Sequence, residues 1–587
     1  VKSVRMGAVF ISLLLVVPLL VTPAAGAEGK RRKGETPQQL LRGMTLEEKV
    51  GQMMMVGFYG SEPTEDIRRL IRDVHAGNVI LFSYSDNVQT PVQTAKLTNG
   101  LQRIAEETRL KIPLLISTDQ EGGVVARMTT GATQLPGNMA LGAGRKLKDS
   151  HEAARITGEE LRAVGINMNL APVLDVNVNP DNPVIGVRSY AEDPHLVANM
   201  GAAAIRGYQR HSMENRVVAT AKHFPGHGDT DTDSHLGLPV IDKSREELER
   251  VELVPFRRAI ESGIDAIMTA HIHVPALDDT PNLPATLSKP IMTGLLRQEM
   301  GYDGLIVTDS MTMAGVADYF GGVSQAAVKA VDAGVDIVLL TPALTADEQI
   351  EVYQEILEAV RSGDISEKRI DQSVRRILKV KLKYGLFMNH QVDEDEVAER
   401  VGTREHREKA DEIARRSITL VKNERGLLPL KLSEDQKLGI ISQYPLKEQV
   451  DRYHSHSTEI HMKGVNPTDE EIDQAVEMAR KQDVLIVGTY SASLYPQQIK
   501  LVQALQELDK PMAVVAFRNP YDIQDFPGVD AYVNTYGYRP VSLEAVADTL
   551  FGSNQPQGRL PVTIPDLYPY GHGLSYSGSE PTDRIDP

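Results

Sequence analysis

The run Arg216-Val217-Val218-Ala219-Thr220-Ala221 leads straight into Lys222-His223-Phe224-Pro225-Gly226-His227-Gly228-Asp229-Thr230-Asp231-Thr232-Asp233-Ser234-His235. The first part is rich in β-branched residues and reads as a strand. The second holds three His, three Asp, two Gly and a Pro in fourteen residues, a composition that excludes a regular helix. A buried strand that opens into a rigid, titratable loop predicts a barrel with its chemistry gathered at the strand ends.

That expectation can be followed along the chain. Apolar runs at 52–58, 78–82, 113–119, 166–175, 217–223, 266–271, 305–309 and 335–340 read as eight strands. Amphipathic stretches at 64–75, 91–108, 151–164, 194–211, 244–262 and 323–333 read as helices between them. Eight β-α units predict an α/β chain with an N-terminal TIM-type (β/α)8 barrel. Asp119, Asp175, Lys222, His223, His271 and Asp309 all fall at C-terminal strand ends, as a barrel requires and an open doubly wound sheet does not. Past a charged linker at 389–410, strands at 417–421, 438–442, 484–488, 513–517 and 531–535 alternate with helices at 469–481, 498–508 and 543–551. The expected division is a signal peptide at 1–27, the barrel at 28–388, a linker and connecting helix at 389–410, and a C-terminal α/β layered domain at 411–587.

A chain of 587 residues exceeds what one core sustains. A net charge of -17 argues against nucleic acid and against an anionic membrane surface as partners. Lys2 and Arg5 precede an apolar run from Ala8 to Val21, and Ala25-Gly26-Ala27 supplies a small-x-small cleavage pattern. The reading is export and a secreted protein, with retention as an anchor left open. No cysteine occurs anywhere, so there is no disulfide framework, thiolate metal site or lipid-modified cysteine.

Asp309 ends the apolar strand Gly304-Leu305-Ile306-Val307-Thr308-Asp309, where it is either a helix cap or a nucleophile at the barrel mouth. Asp233 and His235 are two apart, so a turn can bring them together. A carboxylate on one imidazole nitrogen fixes the tautomer and raises the basicity of the other. The rival is a metal-dependent barrel hydrolase built on His271-Ile272-His273 with His223, His227 and Asp229. Barrels with an H-x-H metal pair usually carry it on the first strand, and here it lies on the sixth. No cofactor and no metal are therefore expected, with His227 organising the loop and His271 supporting the site.

The segment 222–230 with Asp233-Ser234-His235 resembles the signature of bacterial β-N-acetylglucosaminidases of glycoside hydrolase family 3. Asp119-Gln120-Glu121-Gly122-Gly123, Asn169-Leu170-Ala171-Pro172-Val173-Leu174-Asp175 and Thr308-Asp309-Ser310-Met311 agree with it, as do Gly558-Arg559-Leu560-Pro561-Val562 and Tyr570-Gly571-His572-Gly573 more weakly. The resemblance implies an exo-acting, retaining enzyme with Asp309 as nucleophile and His235, oriented by Asp233, as general acid/base. It implies that Asp119, Arg127, Arg188, Lys222 and His223 bind the terminal sugar of a carbohydrate substrate from cell-wall or chitin fragments. Phosphate in place of water as acceptor, and a catalytically silent sugar-binding barrel, are the other readings. The C-terminal domain reads as a packing or stability module.

Overall fold

A computed structural model describes residues 36–317 and 321–576; the expected signal segment at 1–27 lies outside the described residues. Eight strands form one sheet: Met54–Val56, Asn78–Ile80, Leu115–Thr118, Met168–Asn169, Val218–Phe224, Ala266–Thr269, Leu305–Val307 and Val338–Leu339. Each of the first six pairs in parallel with the next, the eighth pairs in parallel with the first, and a single bridge from Val307 to Ile337 brings the ends together. The strands are buried along their whole length, as parallel strands between an inner core and an outer layer of helices must be. The chain is thus α/β, with a nearly closed barrel followed by a second α/β domain.

Local chemistry sets the boundaries, and it corrects several expected ones. The first strand starts at Met54, two residues later than its apolar run, because Leu46–Gln52 is helical under a Thr45/Glu48 capping box. The fourth strand shrinks from 166–175 to Met168–Asn169. Pro172 has no N–H to give, and the segment follows its neighbour through isolated bonds, Thr220 N to Ala171 O and Leu174 N to Lys222 O. The expected helix at 244–262 is two, Arg245–Arg250 and Leu253–Glu261, since Pro255 cannot donate back across Val251.

Beyond the barrel, the helix Arg404–Ser417 is fastened to its flank. His406 Nδ1 lies 2.8 Å from the buried Glu160, and Arg416 holds Asp149 through two bonds of 2.8 Å. The second domain is a six-stranded sheet ordered Thr419–Asn423, Ala531–Asn534, Met512–Ala516, Val484–Thr489, Leu438–Ser442, Ser457–His461, with only the first strand antiparallel. Ser457–His461 was not expected; it is a polar edge strand without the apolar alternation that marks the others. This domain touches loops at the barrel mouth: Arg539 Nε donates to Gly123 O at 2.6 Å, and Val187 N donates to Asn519 Oδ1 at 3.2 Å.

Candidate active site

A cavity of about 460 Å³ opens at the C-terminal ends of the barrel strands, within the range of roughly 300–1,000 Å³ usual for small-ligand sites. Asp119, Arg127, Arg188, Lys222, His223, His235 and Asp309 all line it. Asp233 does not; it stands behind His235.

The floor is an ion-paired network. Lys222 Nζ lies 2.8 Å from both Asp119 Oδ1 and Glu121 Oε1. Arg188 grips Glu121 with two bonds, at 2.8 and 3.0 Å, and its Nη2 approaches His223 Nε2 at 3.3 Å. Arg127 stands 3.5 Å from Asp119, and its Nε is buried without a hydrogen-bond partner among the described residues. Burial alone would push Glu121 up and Lys222 down. The Arg188 and Lys222 charges instead hold Glu121 far below the carboxylate range, and Asp119 and Glu121 hold Lys222 above the ordinary lysine value. Glu121, Arg188 and Lys222 are therefore charged at neutral pH, and their hydrogen bonds fix donors and acceptors in place. Such a set suits a ligand whose periphery is hydroxyls and an amide.

Glu121 was not singled out among the expected site residues, although it stands two positions past Asp119. A short ribbon, Gln120–Gly122 paired with Val125–Ala126, carries it. The period of two in extended chain directs Asp119 and Glu121 to one side, and this was the available signal. Asp175 is the other group not assigned to the site. Fully buried, it takes His223 Nδ1 at 2.7 Å and the backbone N–H groups of His223 and His227 at 3.2 and 2.7 Å. Burial raises its carboxyl, but the neighbouring His223 outweighs this and its pKa ends below the usual value.

Asp309 follows the seventh strand by two residues. Thr308 Oγ1 accepts from Leu339 N at 2.9 Å and Met311 N donates to Leu339 O at 3.0 Å, so the eighth strand clamps the segment on both sides of it. Burial pushes the Asp309 carboxyl up; His223, His271, the Ser310 N–H and Lys222 together pull it below its ordinary value. It is a half-buried carboxylate that stays ionised. His271 supports it from behind, with Nε2 3.0 Å from Ser310 O, and burial holds the His271 pKa down.

The loop at 225–240 is anchored at one end and open at the other. His227 is buried, its pKa lowered to about 4 by burial against the pull of Asp175. Its Nδ1 meets Thr230 Oγ1 and its Nε2 meets Ser234 Oγ, both at 2.9 Å. Ser234 is thereby pinned, and its neighbours face outward. Asp233 Oδ1 takes both the backbone N–H of His235, at 2.8 Å, and Nδ1, at 2.7 Å. A carboxylate only accepts, so Nδ1 carries the proton and Nε2 is the free, proton-exchanging nitrogen. The His235 side chain is 59% exposed.

The H-x-H pair has other partners: His271 bonds Ser310 O and Thr286, and His273 Nδ1 meets Leu283 O at 3.2 Å. Among the described residues no three His, Asp or Glu side chains converge on a point that could hold a metal ion.

A barrel mouth that couples a charged, hydrogen-bonding floor to a half-buried carboxylate and an outward imidazole suits glycoside hydrolysis. Comparison with known proteins agrees. Residues 45–380 match the glycosyl hydrolase family 3 N terminal domain, and residues 418–576 match the glycosyl hydrolase family 3 C-terminal domain. The chain belongs to glycosyl hydrolase family 3. It is 32% identical to beta-hexosaminidase A of Pseudoalteromonas piscicida, over 89% of this chain and 97% of that one. It is 31% identical to a beta-N-acetylglucosaminidase/beta-glucosidase of Cellulomonas fimi, over 88% and 94%. Among solved structures, a glycoside hydrolase family 3 beta-N-acetylglucosaminidase from Paenibacillus sp. str. FPU-7 superposes with a TM-score of 0.83 at 40% identity, covering 89% of this chain and 99% of the other.

Proposed function

We propose that the chain is an exo-acting, retaining β-N-acetylglucosaminidase that removes terminal N-acetylglucosamine from cell-wall fragments, with chitin fragments as the lesser substrate. One observation carries the reading: Asp309, the Asp119/Glu121/Lys222/Arg188 floor and the His235 imidazole all border one small cavity. The activities for which the similar proteins are named support the choice of sugar.

In this reading the floor holds the terminal sugar by its hydroxyls and acetamido group, through Asp119, Arg127, Arg188, Lys222 and His223. Asp309 attacks the anomeric carbon as the bond to the leaving oxygen breaks, and His235 Nε2 gives that oxygen its proton. The resulting covalent glycosyl-enzyme is opened by water, whose proton returns to Nε2. Two inversions retain the β configuration. Asp233 keeps Nδ1 protonated and stabilises the imidazolium form. The Lys2–Ala27 pattern supports action outside the cytoplasm, which sequencing the mature N-terminus checks.

The test follows the anomer released first from an aryl N-acetyl-β-D-glucosaminide by proton NMR, with Asp309→Ala alongside. The expected result is β product first and no turnover by the variant. An α anomer first, or wild-type-like turnover by Asp309→Ala, refutes the assignment.

A further inference from the structure

Tyr84 is 58% exposed, yet it lines the same cavity as Asp309 and His235. Its ring rests on Phe82, centroids 4.7 Å apart and planes 30° from parallel, and the Arg127 guanidinium lies 5.5 Å from the Phe82 ring. An unbroken line of contacts therefore runs from Asp119 through Arg127 and Phe82 to Tyr84, from the floor to the rim. The rim is built to stay put. The buried Asn87 takes Phe82 N and Ser85 Oγ on Oδ1, at 3.1 and 2.7 Å, and gives Nδ2 to Phe58 O and Gly60 O, at 3.2 and 2.8 Å. Gly60 N returns to Ser85 O at 2.9 Å. One buried amide thus locks the loop of Tyr84 to the loop of Tyr59, itself 57% exposed. Two rigidly held tyrosines left in water contribute little to the core, and exposed aromatic surface of this kind marks a contact site.

We infer that Tyr84, on its Phe82 base, forms a subsite for the sugar ring on the leaving-group side of the scissile bond, so that the enzyme selects a pyranose aglycone over a small alkyl one. This rests on the glycosidase reading above. The leaving oxygen must come within reach of His235 Nε2, which places the aglycone at the rim. There a tyrosine ring offers a flat apolar face to the C–H groups of a pyranose and a hydroxyl to its oxygens.

The experiment compares kcat/KM for N,N′-diacetylchitobiose and methyl N-acetyl-β-D-glucosaminide in the wild type, Tyr84→Ala and Tyr84→Phe. Both substrates have poor leaving groups, so the acid step weighs on each. Tyr84→Ala is expected to lower the disaccharide value about ten-fold, mainly through KM, the scale of one aromatic contact. The methyl glycoside should change by less than about two-fold, and Tyr84→Phe should retain most of the preference. Equal changes on the two substrates, or an unaffected disaccharide, overturn the platform while leaving the site reading intact. A wild type that cleaves neither substrate overturns the site reading and the platform with it.

Discussion

Replacing Asp233 by Asn separates two jobs that its carboxylate does. Oδ1 accepts from both the backbone N–H and the Nδ1–H of His235, at 2.8 and 2.7 Å. An asparagine oxygen can keep both bonds, so Asp233→Asn preserves the tautomer and the turn and removes only the charge. The charge acts in a wet setting, with side-chain exposures of 59% for His235 and 31% for Asp233. A unit pair about 4 Å apart is worth about 1 kcal/mol in water and about 4 kcal/mol at an effective dielectric near 20. The exposure puts this pair near the lower end, which sets the expected loss in kcat/KM at about five- to ten-fold. His235→Ala removes the acid itself, and general acid catalysis contributes about 10²–10⁴-fold. That loss should fall on substrates whose leaving group needs a proton. Methyl and 2,4-dinitrophenyl N-acetyl-β-D-glucosaminides mark the extremes, and the assay is kcat/KM for both with wild type and each variant. His235→Ala should slow the methyl glycoside by at least about a hundred-fold and leave glycosylation from the dinitrophenyl glycoside within about ten-fold. Uniform losses across leaving groups would remove His235 from the acid role. An Asp233→Asn enzyme as impaired as His235→Ala would refute the solvent-screened pair and require that the loop buries it during turnover.

Glu121→Gln should destabilise the chain by roughly 3–5 kcal/mol, since it removes the one carboxylate that both Arg188 and Lys222 contact; a urea midpoint unchanged from wild type would contradict the network. The His227 tie to Ser234 should weaken in acid. The folded-state pKa of about 4 lies below the ordinary value near 6.5, so the unfolded chain binds the extra proton first. The stabilisation is fully present above about pH 6.5 and is lost as pH falls towards 4, at about 1.36 kcal/mol per unit. Denaturant titrations at pH 7 and pH 5 should show a drop in the wild type that His227→Gln lacks, and parallel drops in both would exclude His227 as the cause.

The eight-strand barrel was readable because a parallel strand buried on both faces is a near-continuous apolar run, and five of the eight runs, those ending at Asp119, Asp175, His223, His271 and Asp309, closed on a polar residue. Asp309 illustrates it: Leu305-Ile306-Val307 is apolar and the carboxylate follows two positions later. Run length was a poorer guide to strand length. Hydrophobicity extends through Leu170 to Leu174, but Pro172 cannot donate and the ladder stops at Asn169. The loop from His227 to His235 advertised its chemistry through composition, while the division of labour within it did not show. That His227 faces inward to Ser234 and His235 faces out depends on Asp175, fifty-two residues away from His227 and past the end of another strand. Tyr84 was silent for the opposite reason, because a tyrosine in a polar loop has no period to betray whether it packs or projects.

The C-terminal domain is where reading from composition alone falls furthest short, since its contribution consists wholly of long-range contacts. As a packing module it would press on the barrel flank, and the helix Arg404–Ser417 does so through His406 and Arg416. Its other contacts are more selective. Asn519 Oδ1 receives Val187 N, the residue before Arg188, and a Cβ on Gly186 would come within 2.4 Å of that same oxygen. Gly186 has φ of +42°, so the close approach and the backbone turn both call for glycine there. Arg539 holds Gly123 O, two residues past Glu121, and Asn177 Nδ2 reaches Tyr521 Oη at 3.0 Å two residues past Asp175. Arg188, Glu121 and Asp175 are the groups that fix Lys222 and His223, and each sits one or two residues from a contact with the second domain. The barrel supplies the charged groups of the cavity floor; the second domain holds the loops that aim them.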